Sequence, residues 1–187
     1  MKLSKAGLLF IKSKEGWENK VYLDSAGLST IGVGHLIMTP VDKHLTEVTG
    51  KDPRVIVKLT DDEVLKLLQL DVAIFERLIN EEVKVELTQN QFDALVAFVF
   101  NVGAGAFKKS TLLRKLNEEK PKEVLAEFLK WVNAGKKYIK GLYVVRVAES
   151  KIFNNDYTEI KKDDKLDSSS LEHLNSLVLG YKLMGEE

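Results

Sequence analysis

The sequence predicts an α+β fold that is mainly α, on three observations. Two capping boxes, Thr60-Asp61-Asp62-Glu63 and Thr88-Gln89-Asn90-Gln91, each open an apolar pattern of helical period. The stretch from Ala94 to Phe100 is wholly apolar, which marks a helix at the centre of a core. Near the start, Val21-Tyr22-Leu23 and Leu28 to Val33 flank Ser25-Ala26-Gly27, which reads as a β-hairpin about a glycine-containing turn.

In chain order, Leu3, Leu8, Phe10 and Ile11 fit a short amphipathic helix over residues 2–15, with Gly16 placed to end it. The hairpin follows. Residues 39–58 carry the breakers Pro40, Gly50 and Pro53 and give no clear period. The first capping box, with Leu59 and Val64 as a hydrophobic staple, starts a helix to about Asn80; the second, with Leu87 and Phe92, starts the central helix, ended by Gly103 and Gly105. Shorter helices are expected at 110–117, at 121–131 with Pro121 in its first turn, and at 142–153. Residues 154–170 turn polar and read as a linker. A last helix carries Leu171, Leu174, Leu177, Val178, Tyr181 and Met184 on one face. That face fits docking onto the body or, alternatively, binding a partner.

Composition narrows the chemistry. The 187 residues, 44% hydrophobic and 30% charged, suit one compact globular unit. With 28 basic and 28 acidic side chains the net charge is zero, so no global field favours nucleic acid. Charge is nonetheless uneven, with nine acids against three bases over residues 61–93 and eleven bases against four acids over 108–146. Solvated helix faces account for both stretches, and the basic one also suits an anionic polymer. The chain has no cysteine, and His35, His44 and His173 show no zinc spacing, so neither a metal mechanism nor a cofactor is expected. No apolar run near the start is long enough for a membrane span or a signal segment, which leads to the expectation of a cytoplasmic protein with no membrane insertion.

The segment from Glu15 to His35 carries the chemistry. Glu15 lies at a helix end, Asp24 nine positions later in a strand or turn, Thr30 six positions after that, and Gly32-Val33-Gly34-His35 close behind. Glycoside hydrolysis needs two carboxyl groups in different protonation states, one to protonate the leaving oxygen and one to activate the attacking group. At a helix C-terminus the backbone dipole disfavours an ionised Glu15, which makes it the better acid. Asp24, in a polar turn with access to water and backbone N–H groups, is expected to stay ionised. A Thr30 hydroxyl facing Asp24 across the hairpin helps hold a water molecule. Carboxyl groups about 6.5–9.5 Å apart would invert the anomeric centre, and groups about 5 Å apart would retain it. Gly32-x-Gly34 is no phosphate loop, because no helix with a following Lys-Ser/Thr supports it.

At these residues the sequence resembles the phage-type lysozymes, glycoside hydrolase family 24, over about residues 3–153. The resemblance extends to Leu59 through Glu63, Leu87 through Leu95, Phe100-Asn101-Val102-Gly103, Phe107, Ser110 through Leu113, and Gly141-Leu142 with Arg146 and Glu149. It implies a lysozyme-like two-lobed fold with a small β-hairpin lobe, about 16–58, and a larger helical lobe, about 59–153 plus the N-terminal helix, the glycan lying between them. Residues 154–187 fall outside it. It further implies hydrolysis of the β-1,4 bond between N-acetylmuramic acid and N-acetylglucosamine in peptidoglycan and bacterial lysis. Glu15 is then the acid, Asp24 the base, Thr30 the water positioner, and inversion the expected outcome. Leu36, Phe100, Asn101 and Ser110 are implied glycan contacts, and Asp71 the partner of a structural His35, with an N–O contact at hydrogen-bond distance. Arg146 is implied as the ion partner of Glu15, and Val145 stands where the family often has another arginine. A monomer that reaches the wall through a membrane lesion made by another protein completes the expectation.

Two other functions compete. A lytic transglycosylase works with one catalytic glutamate, and the Asp24 and Thr30 pair argues against it. A wall-binding module with an inactive lysozyme fold is opposed by the intact triad. Trp17 fits either the cleft or packing beside the hairpin, and Trp131 fits the core at the end of its helix.

Overall fold

The computed structural model describes residues 1–38, 41–163 and 165–185, so the expected break at Pro40 lies outside the described residues. The chain forms two compact units, one of Met1–Phe10 with Phe75–Glu187 (unit 1) and one of Ile11–Ile74 (unit 2). The division falls inside two helices, α1 (Lys5–Glu15) and α3 (Asp61–Glu82), and not at the loops expected near 16 and 58.

Unit 2 holds an antiparallel sheet in the order β1 (Glu18–Leu23), β2 (Ser29–Gly32), β3 (His35–Leu36), with Tyr22 opposite Thr30 and Ile31 opposite His35. The third strand adds to the expected hairpin. Gly32 and Gly34 adopt φ of 64° and 72°, the left-handed region that a side chain disfavours, and so fold β3 back onto β2. The Gly-x-Gly pattern is thus a strand connection that delivers His35. Helix α2 (Lys43–Thr49), not apparent in the sequence, is capped by Asp42, whose Oδ1 accepts from the Leu45 N–H at 3.0 Å, and it ends at Gly50 with φ 66°. Ile31, Leu45, Leu59, Val64 and Val72 are fully buried and form the core. The first capping box is present: the Thr60 N–H donates to Glu63 at 2.7 Å and the Glu63 N–H to Thr60 Oγ1 at 3.2 Å.

Unit 1 is built on α4 (Gln89–Val102), opened by the second capping box and buried continuously from Phe92 to Val99. It packs against α8 (Lys140–Phe153), which packs in turn against α9 (Ser168–Gly185). Gly103 ends α4, but Gly105 lies within a further helix, α5 (Ala104–Lys108). One glycine suffices to turn the chain, and the buried Phe107 holds the next turn in place. Helices α6 (Thr111–Asn117) and α7 (Pro121–Phe128) follow. Because α7 stops at Phe128, Trp131 lies beyond the helix, half-buried and edge-on to Phe98 at 5.5 Å. A small hairpin of β4 (Asn133–Ala134) and β5 (Lys137–Tyr138) turns at Gly135, with φ 60°. No described helix is long and apolar enough to cross a membrane.

The polar stretch after residue 153 is pinned by side chains. Tyr143 donates to Asp163 at 2.8 Å, Lys151 pairs with Asp156 at 2.8 Å, and Lys140 pairs with Asp167. Helix α9 docks through Leu174, Leu177, Val178 and Tyr181, while Met184 stays exposed. The Tyr181 hydroxyl donates to Asp93 Oδ2 at 3.0 Å, and the same carboxylate accepts from Gln89 at 2.7 Å and from the Ser4 N–H at 3.1 Å. A buried bond to a charged acceptor is worth about 1.5–3 kcal/mol. Tyr181→Phe is therefore expected to lower the unfolding free energy by about that amount, measured by urea titration. An unchanged midpoint would show that Asp93 does not need this donor.

Candidate active site

Glu15 is the last residue of α1, followed by Gly16 with φ 75°, and lies at the surface of unit 2. Lys14 Nζ donates to its Oε1 at 2.8 Å. Trp17, two residues on, is exposed, with Lys12 Nζ 3.5 Å above its ring.

Asp24 follows β1 at the hairpin turn. Its Oδ1 accepts from the N–H groups of Ala26 at 2.8 Å and Leu28 at 2.9 Å, while its own N–H donates to the Leu28 carbonyl at 2.9 Å. Among the described residues Oδ2 carries no hydrogen bond. One oxygen thus fixes the carboxylate. Thr30, 3% exposed, pairs across the strands with Tyr22, and its hydroxyl donates to the Leu28 carbonyl at 3.0 Å. Asp24 and Thr30 therefore meet through one shared peptide, that of Leu28. The hydroxyl proton is used, and its lone pairs remain acceptors.

Leu36 ends β3 and is 41% exposed. His35, at the start of β3, lies between two carboxylates: Nδ1 is 2.9 Å from Asp71 Oδ2, and Nε2 is 2.9 Å from Asp42 Oδ2. Burial disfavours its charged form, but the hydrogen bond and charge of Asp71, then those of Asp42, outweigh this and raise its proton affinity. For Asp42, burial is outweighed by the Leu45 N–H, then by His35 and the Met38 N–H, which hold its carboxyl below the usual range. His44, in the first turn of α2, places Nδ1 2.8 Å from Asp71 Oδ1. Reading the sequence missed Asp42 and His44. The helix-capping pattern from Asp42 to Leu45 was the only local signal for either, and nothing in the spacing tied them to Asp71 on α3.

The other candidates belong to unit 1. Arg146 is fully buried on α8: its guanidinium donates to Glu149 one turn along, to Asn101 Oδ1, and through Nε to the Trp131 carbonyl at 3.2 Å, while lying 4.9 Å from the Phe98 ring centre. Phe100 is half-buried, edge-on to Phe75 at 5.8 Å. Ser110 is buried as the cap of α6, its Oγ accepting from the Leu113 N–H at 3.0 Å.

The profile of the phage lysozyme family matches residues 12–149. The chain belongs to that family. Among its phage lysozyme relatives, the endolysin of Bacillus phage PZA is 39% identical over 159 residues, 83% of this chain and 56% of its own length. This chain spans little more than half the length of that protein and of the endolysin of Bacillus phage B103. A crystal structure of a P22 lysozyme mutant superposes with a TM-score of 0.72 at 35% identity, covering 82% of this chain and 99% of the other. The muramidase domain of SpmX from Asticaccaulis excentricus gives 0.68 at 31% identity, covering 81% and 97%. The match to the phage lysozyme profile takes in Glu15, Asp24, Thr30, His35, Asp71 and Arg146 and stops before the polar stretch and α9.

Proposed function

We propose that this chain is a muramidase that hydrolyses the β-1,4 bond between N-acetylmuramic acid and N-acetylglucosamine in peptidoglycan. The reading is carried by the Asp24 turn: a carboxylate fixed through Oδ1, open at Oδ2, and tied through Leu28 to the Thr30 hydroxyl. In the proposed reaction Glu15, protonated, gives its proton to the glycosidic oxygen as the C1–O bond breaks. Water held by Asp24 Oδ2 and Thr30 Oγ1 attacks C1 and passes its proton to Asp24. Exchange with solvent then returns the proton to Glu15, and the anomeric centre is inverted. Leu36, Phe100 and Asn101 are assigned to sugar contacts. The Oγ of Ser110 is occupied as a helix cap, which leaves its hydroxyl proton to donate. His35 and Asp71 serve as structural supports. Lysis as a monomer, after another protein opens the membrane, belongs to the same proposal.

Digestion of purified peptidoglycan followed by mass spectrometry tests the reaction. Every cut is expected to add one water and leave a reducing N-acetylmuramic acid, formed first as the α-anomer. Products lacking that water, as 1,6-anhydro ends, would replace hydrolysis with transglycosylation.

A further inference from the structure

His35, His44 and Asp71 come from β3, α2 and α3, yet one ligand atom of each lies within 4.8 Å of the other two. Asp71 Oδ1 is 3.0 Å from His35 Nδ1 and 2.8 Å from His44 Nδ1, and the two rings are 6.2 Å apart between centres. We propose that these three side chains bind a divalent zinc-class metal ion through His35 Nδ1, His44 Nδ1 and Asp71 Oδ1.

The donor set suits that class. Two imidazoles and one carboxylate match zinc, with bonds of about 2.0–2.2 Å, whereas calcium and magnesium take oxygen ligands. Bonds of that length about a tetrahedral ion set neighbouring donors roughly 3.3–3.5 Å apart. Each imidazole–carboxylate pair therefore needs to open by about 0.3–0.7 Å, and the two imidazole nitrogens, within 4.8 Å of each other, have to settle at the same spacing. His44 has the freedom to do so, its side chain being 43% exposed. The ion replaces the Nδ1 proton of each ring, and two protons or fewer pass to solvent according to how many the rings carry.

An outer shell is already built. A metal-binding histidine commonly donates its other N–H to a carboxylate, which sets the tautomer and the ring plane. Here Asp42 Oδ2 takes that place on His35 Nε2 at 2.9 Å. Asp42 is itself held by the N–H groups of Met38 at 3.1 Å and Leu45 at 3.0 Å. With Nε2–H fixed on Asp42, Nδ1 would offer its lone pair on the Asp71 side once the ion has displaced its proton. A cavity of about 390 Å³ lined by His35, Leu36, Met38, Asp42 and His44 lies beside the two rings. The bound ion would tie β3, α2 and α3 together and stabilise unit 2. The inference is independent of the proposed hydrolysis.

The test uses the full chain without an affinity tag, stripped with a chelator and dialysed. Calorimetric titration with zinc chloride at neutral pH is expected to show one saturable equivalent and a rise in Tm, with no heat from magnesium or calcium. Cobalt(II) is expected to give visible bands of low-symmetry coordination. His44→Ala, at an exposed ring, keeps the fold by circular dichroism and weakens zinc by about 100-fold, and Asp42→Asn weakens it by about 10-fold. His173→Ala is expected to bind as the unaltered chain does. Equal binding by His44→Ala and the unaltered chain, loss of binding in His173→Ala, or no saturable heat at all would each overturn the site.

Discussion

Replacing Glu15 by Gln is expected to lower the rate of wall clearing by about 10²–10⁴-fold, the share that a positioned general acid contributes. The substitution keeps the shape and removes the transferable proton, together with the charge that faces Lys14. Glu15 is at the surface at the last position of α1, so Tm is expected to shift by less than about 2 °C, since surface changes seldom exceed about 0.5 kcal/mol. Turbidity loss of a purified wall suspension, read beside a thermal melt, separates the two effects. Equal clearing by both proteins would remove Glu15 as the acid. A rate that falls only in step with Tm would reduce it to a structural residue.

The second large effect concerns stability. Arg146 and Glu149 are both fully buried and paired on one face of α8. Arg146→Met takes the cation away from a desolvated carboxylate, and loss of one partner from such a pair costs about 3–5 kcal/mol. Replacing both, as Arg146→Met with Glu149→Leu, removes the burial cost of two charges and is expected to recover most of that loss. Urea unfolding of the two variants checks this. A single variant within about 1 kcal/mol of the unaltered chain would show that the pair carries little. A double variant as unstable as the single one would place the cost in the bonds to Asn101 and the Trp131 carbonyl.

What the sequence revealed was whatever is encoded over a few neighbouring residues. Both capping boxes, the glycine after α1 and the apolar run of α4 are local, and each marks its element directly. The Glu15, Asp24 and Thr30 pattern spans one helix end and one hairpin and was visible for the same reason. Strands β3, β4 and β5 are two residues long, too short to show alternation, and α2 and α5 are too short to show a helical period. The histidine cluster was hidden because His44 and Asp71 are 27 residues apart and only the packing of α2 beside α3 joins them. The residues after 153 read as a linker by composition, yet Asp163 and Asp167 are fixed by partners on α8 that no local pattern reveals.

The carboxylate of Asp93 stands 89 residues from Ser4 and 88 from Tyr181, and it takes donors from both. On the ribosome, where segments fold in the order they emerge, residues 11–74 are complete while unit 1 still waits for its last helix. Until Tyr181 arrives, Asp93 and the apolar side of α8 stay open to solvent or to a chaperone. Any release of the nascent chain before that point would leave the larger unit unfinished although the smaller one had folded.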